Sequence, residues 1–139
     1  MYRLFLSSGL CLAAISPALS DPGTSLTPPQ REIISRNIDL LPSQEERKLA
    51  SEWNNAKKVA EFICRPAAIA ALQKWDQQAD RVFLGTDDPK TLTLENDRLL
   101  KGSGQVRAGN DWTTFAFSCE LDPNSGRALT FETDLAPRT

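Results

Sequence analysis

The sequence contains no histidine. That absence removes the commonest general base at neutral pH, the usual Ser-His and Cys-His nucleophilic pairs, and most zinc sites. It also lacks an apolar run of the roughly 20 residues needed to cross a bilayer. The run from Leu4 to Ile15 is too short. Nor is there an excess of basic residues: 16 Lys and Arg stand against 18 Asp and Glu, a net charge of −2. This balance argues against non-specific binding to nucleic acid or to anionic membranes, both of which need a basic face. Cysteine is scarce, with three in the chain, and no internal repeat is visible.

What is present begins with "MYRLFLSSGLCLAAISPALSDPG". Arg3, a short apolar core, the helix breaker Pro17 and small residues at Ala18 and Ser20 form the pattern of a secretory signal peptide, residues 1–20, cut after Ser20. Cys11 does not fit a lipid-attachment site, because Leu10 stands where a small residue is required. Removing the leader takes away Arg3 and leaves 15 basic against 18 acidic groups, a net charge of −3. The remainder is one domain's worth of chain, periplasmic or secreted, with no stable membrane insertion after signal cleavage.

Export leaves two cysteines, Cys64 and Cys119, and an oxidising compartment favours bridging an even pair. In "WTTFAFSCELDPNSG", Phe115, Phe117, Cys119 and Leu121 alternate with Thr114, Ala116, Ser118 and Glu120. Cys119 therefore faces the apolar side of a strand. Cys64 ends an amphipathic helical run that would pack on that side. A Cys64–Cys119 disulfide is the expected arrangement; two buried free thiols are the alternative.

Residues 21–30, rich in Pro, Gly, Ser and Thr, read as a disordered linker. Ile34, Ile38 and Leu41 then make one helical stripe, which Thr27 and Pro28 could cap and start. Ser43 and Glu46 form a capping box. After them, Leu49, Trp53, Ala56, Ala60 and Ile63 predict one helix of nearly six turns. Arg65-Pro66 predicts its end, and Ala68, Leu72, Trp75 and Ala79 mark the next helix. From about residue 80 the texture turns to short alternating runs separated by Gly- and Asn/Asp-containing turns. Leu129, Phe131, Thr133 and Leu135 are the inward set of the last strand. The glycines of Gly102-Ser103-Gly104 suggest a bend or bulge. Helices over about 31–78 followed by strands over about 80–135 predict a single α+β domain, 31–139. Its N-terminal helices should pack on one face of a four- to five-stranded antiparallel meander.

The segments "VAEFICRPAAIAALQKWDQQADRVFLG" and "GSGQVRAGNDWTTFAFSCELDPNSGRALTFETDL" resemble a proteobacterial family of small secreted proteins, the domain-of-unknown-function family 930. The shared features are helix-borne Cys64, the Ala79-Asp80-Arg81-Val82 lead-in to the first strand, Arg107 on a glycine-bearing strand, Trp112, Cys119 and the closing Phe131 strand. The resemblance runs from about Trp53 to Leu135. It implies an exported, cysteine-paired module and lends no activity.

Candidate chemistry is thin. Asp76 and Asp80 fall four residues apart at a helix end. Were they buried face to face, one carboxyl would titrate high, as glycoside-cleaving pairs require. "DPNSG" hints at a calcium loop but misplaces the glycine and lacks the closing glutamate, so a hairpin turn explains it better. "KGSGQ" lacks the ending of a phosphate loop. Trp53, Trp75 and Trp112 could line a groove; the first two sit on apolar stripes, which leaves Trp112 as the candidate binding residue. No catalytic residue, cofactor or metal is assigned. The expected function is a non-enzymatic module that binds a protein or a cell-envelope component, with inhibition of a wall-degrading enzyme as a special case. The alternative is a small carboxylate-based hydrolase of envelope polymers.

Overall fold

The structure, a computed structural model, describes residues 25–137. The expected signal peptide and residues 21–24 of the expected linker lie outside the described residues.

The chain builds helices first and strands second: α1 (Pro28–Asp39), α2 (Gln44–Glu52), α3 (Asn55–Val59), a π-helical turn (Ala60–Cys64), α4 (Arg65–Trp75), then β1 (Ala79–Leu84), β2 (Leu92–Glu95), β3 (Leu99–Ala108), β4 (Asp111–Leu121) and β5 (Ala128–Thr133). This is the α+β architecture that the texture of the sequence implied. Among the described residues, no helix is long and apolar enough to cross a membrane.

Thr27 caps α1 as expected, but the cap is part of the domain rather than of a linker. Its hydroxyl accepts from the Gln30 N–H, and Gln30 Oε1 accepts from the Thr27 N–H at 3.0 Å. Gln30 is fully buried, and its Nε2 donates to the Asp97 carbonyl at 2.7 Å. The side chain thus bolts the start of α1 to the turn between β2 and β3. Leu26 is buried as well. The linker assignment therefore fails for Leu26 to Gln30, because composition alone did not register that one glutamine could satisfy two backbone groups at a buried helix end.

The capping box at Ser43 and Glu46 forms, with Ser43 Oγ accepting from the Glu46 N–H at 3.1 Å and Glu46 Oε2 from the Ser43 N–H at 3.3 Å. The six-turn helix does not follow. The chain leaves the helical conformation at Trp53 (ψ 151°), and Asn54 caps a new helix by accepting from the Lys57 N–H at 2.9 Å. Asparagine competes for backbone donors in this way, and here it outweighs the apolar stripe. Leu49 is 58% exposed as a result, and Trp53 stacks on Phe62 with ring centroids 6.0 Å apart.

Pro66, the expected stop, lies within a continuing helix. Upstream of it the ladder widens, so that the Arg65 N–H bonds the Ala60 carbonyl five residues back. A wider turn accommodates a residue that lacks an N–H and whose ring crowds the carbonyl four residues back. Cys64 closes this turn, fully buried.

The sheet is antiparallel and four strands wide, in the order β1-β3-β4-β5. β2 also pairs with β3, so β1 and β2 lie in tandem along one edge: Leu84 opposes Gly104, and Leu92 opposes Gly102. The two glycines do not bulge. They permit close approach where the edge changes strands. A Cβ on Gly104 would lie 2.6 Å from the Phe83 carbonyl oxygen, and one on Gly102 would collide with the Thr91 carbonyl. The irregularities fall elsewhere, one of them opposite Leu129. There Leu121 pairs with Ala128 while Glu120 pairs with Thr130, which makes Leu129 the extra residue. A one-residue slip reverses facing, and Leu129, expected inward, is 62% exposed.

The core lies between the helices and one sheet face. Val59, Ile63, Ala68 and Leu72 meet Val82, Leu100, Val106, Phe115 and Phe117, with Phe131 and Leu135 partly buried at the margin. The inward set read from β4 is confirmed: Phe115, Phe117, Cys119 and Leu121 are all buried.

Candidate functional site

Cys64 and Cys119 form a disulfide, with Cα atoms 6.2 Å apart and neither residue exposed. It joins the π turn of the helical layer to β4 in the middle of the sheet. Its burial makes it a structural tie, out of reach of a redox partner in the folded state.

The sheet face opposite the helices carries an exposed cluster. In β1, Val82 and Leu84 point into the core, and Arg81 and Phe83 alternate to the other side. Register then fixes their neighbours: Arg81 opposes Arg107, and Arg107 opposes Trp112. The Phe83 and Trp112 rings stack at 5.6 Å with planes 16° apart, and the two residues remain 44% and 45% exposed. The Arg107 guanidinium lies 5.9 Å from the Trp112 ring centroid, and that of Arg65, from α4, lies 5.9 Å from the Phe83 centroid. Each of these arginines is anchored. Arg107 holds Asp80 in a two-point contact of 3.0 and 2.7 Å, and Arg65 pairs with Glu61 at 3.0 Å.

Trp112, the sequence candidate, thus sits in a patch of four further residues that the sequence reading missed: Phe83, Arg65, Arg81 and Arg107. In "RVFLG" Phe83 reads as one more core residue. The only available signal was the alternation of Val82 and Leu84 with Arg81 and Phe83.

Asp76 and Asp80, four residues apart in sequence, do not share a helix end. The helix ends at Trp75, with Asp76 as its extended C-cap accepting from the Gln78 N–H at 2.9 Å, while Asp80 belongs to β1. The hydrogen bond from Arg107, reinforced by its charge, holds the Asp80 carboxyl below the usual carboxylate range. A shared acid–base site would need a carboxyl raised above it.

The "DPNSG" stretch is a hairpin turn. Asp122 accepts from the Asn124 N–H at 2.9 Å, and that bond holds its carboxyl low; Gly126 takes the left-handed conformation (φ 78°). Trp75 donates from Nε1 to the Ala136 carbonyl at 2.9 Å and packs against the core. Among the described residues, no three His, Cys, Asp or Glu side chains are grouped to hold a metal ion.

A cleft of about 300 Å³ borders the Trp112 patch at Phe83 and is lined also by Glu61, Lys57 and Gln105, and two others open away from it. One of about 360 Å³ lies between α1 and the α2–α3 corner, lined by Leu26, Ile34, Ile38 and Lys58. Another, of about 240 Å³, is bounded by Trp53, Asn54 and Lys57 on one side and by Asp87 and Asp88 of the β1–β2 loop on the other. Lys57 already lies over the Trp53 ring, at 4.7 Å, and Phe62 stacks on that ring.

The fold and the patch together define a class: a disulfide-tied α+β domain with an exposed aromatic and arginine surface. Comparison with family models, with curated proteins and with solved structures returns no match to this chain.

Proposed function

We propose that the chain is an exported periplasmic or secreted module, of the kind that its resemblance to family 930 implies. It acts by binding a protein or another envelope component rather than by catalysis, and Phe83 and Trp112 are the centre of its binding surface. One observation carries this reading: two large rings stay exposed while being held in place by each other and by arginines that are themselves anchored. Exposed aromatic and arginine side chains of low residual freedom are what binding hot spots are made of, because little side-chain entropy remains to be lost on association. The buried disulfide agrees with an oxidising compartment. The carboxylate-hydrolase reading has lost its motive, since Asp80 is committed to Arg107.

The test is affinity capture from an envelope extract with the wild-type domain and with the Phe83→Ser/Trp112→Ala variant, both checked for unchanged circular dichroism. Components retained by the wild type should be missing from the variant. An identical retained set would reject the surface.

A further inference from the structure

The patch contains a charge that the fold compensates only in part: Asp80 feels the charge of Arg81, but its carboxylate is bonded to Arg107. Arg65 has Glu61 and Arg107 has Asp80, but Arg81 makes no ion pair among the described residues. It sits directly across the ladder from Arg107. Like charges in directly opposed cross-strand positions destabilise a sheet, and Asp80, the carboxylate that both arginines feel, is already bonded at two points to Arg107. Phe83 lies two residues along the same strand and on the same face. Its side chain is therefore about 7 Å from that of Arg81 along the strand direction.

Resting on the reading of Phe83 and Trp112 as a binding surface, we infer that the partner is an acidic protein segment in extended conformation, placing an apolar side chain on the Phe83–Trp112 stack and a carboxylate two residues away on Arg81. The two-residue spacing of Arg81 and Phe83 is the spacing at which an extended segment presents side chains on one side. The partner motif is therefore apolar-x-Asp or apolar-x-Glu, in either chain direction. The guanidinium of Arg81 offers a fork that matches a carboxylate. Three arginines against two carboxylates leave the patch positive on a chain of net charge −2. A second copy of the same patch would be repelled, whereas an acidic segment would be attracted.

The probe is a phage-displayed library of random 12-residue peptides, selected on the wild-type domain with the Trp112→Ala variant as counter-selection. Selected peptides should be enriched in the apolar-x-acidic spacing and should weaken with added salt. They should bind Arg81→Ser about tenfold more weakly. Changing the peptide's acid to lysine should abolish binding to the wild type and restore it to Arg81→Glu.

Peptides that depend on Trp112 but lack the acid and ignore Arg81 would overturn the inference while leaving the binding surface standing. Absence of any Trp112-dependent peptide would overturn both. Binding to vesicles containing phosphatidylglycerol with no peptide selected, or concentration-dependent dimerisation abolished by Trp112→Ala, would assign the patch to lipid or to a second copy and would overturn the inference as well.

Discussion

Opening the Cys64–Cys119 bond should remove a large part of the domain's stability. The two residues are 55 apart in sequence. Closing a loop of that length restricts the unfolded chain by about 14 cal/mol/K, or about 4 kcal/mol at 25 °C. A domain of this size loses roughly 1.5 kcal/mol of stability per molar urea, so reduction should lower the urea midpoint by roughly 2–3 M. With an unfolding entropy of about 0.24 kcal/mol/K, the melting temperature should fall by roughly 17 °C. The assay compares one polypeptide in two states: purified oxidised protein, and the same protein unfolded in reductant and refolded with a phosphine present. Because the two sulfurs are bonded to each other, Cys64 and Cys119 of the oxidised form should resist thiol labelling even in denaturant until reductant is added. Midpoints that agree to within about 0.3 M, a difference of under about 0.5 kcal/mol, would refute the assignment of the bond as the tie between the two layers.

Other outcomes follow from single contacts. Gln30→Leu should cost about 2 kcal/mol in urea unfolding, since it leaves the Asp97 carbonyl and the Thr27 N–H without their partner; an unchanged midpoint would return the start of α1 to the linker. Gly104→Ala should cost about 2 kcal/mol or more, because its Cβ would lie 2.6 Å from the Phe83 carbonyl oxygen and 2.8 Å from the Phe115 ring. Asn54→Ala should cost about 1 kcal/mol through loss of the α3 cap, and hydrogen exchange should quicken first at Lys57. Asp80 has a folded pKa below its unfolded value, so its pairing with Arg107 supports the fold above about pH 4 and loses that support as pH falls through the lower folded value. Low-salt urea midpoints should therefore fall less on acidification in Asp80→Asn than in wild type, and added salt should shrink the difference.

The local grammar of the chain was legible in the sequence. The cap at Thr27 and the box at Ser43 each lie within four residues, and the alternation of β4 needs only its own period, which was enough to turn Cys119 inward. Two local signals in conflict were not resolvable. At Asn54 an apolar stripe argued for continuing a helix and a capping side chain for ending it, and the cap prevailed. At Pro66 a supposed stop was absorbed by a wider turn, which depends on how the helix packs from Cys64 onward. The binding surface was the least legible part, because Phe83 and Trp112 belong to strands that are not paired with each other and meet only across β3.

By itself, then, the amino-acid sequence determined the order of helices and strands, most of the caps and turns, and the facing of each half of the cysteine pair. Those properties rest on hydrogen bonds within a turn and on the period of each element. Tertiary structure alone decided that Arg81, Arg107 and Trp112 stand in one row, that Asp80 serves Arg107 rather than Asp76, and that Leu129 turns outward. Strand order, register and a single bulge fix those neighbours, and no pattern confined to one segment encodes them.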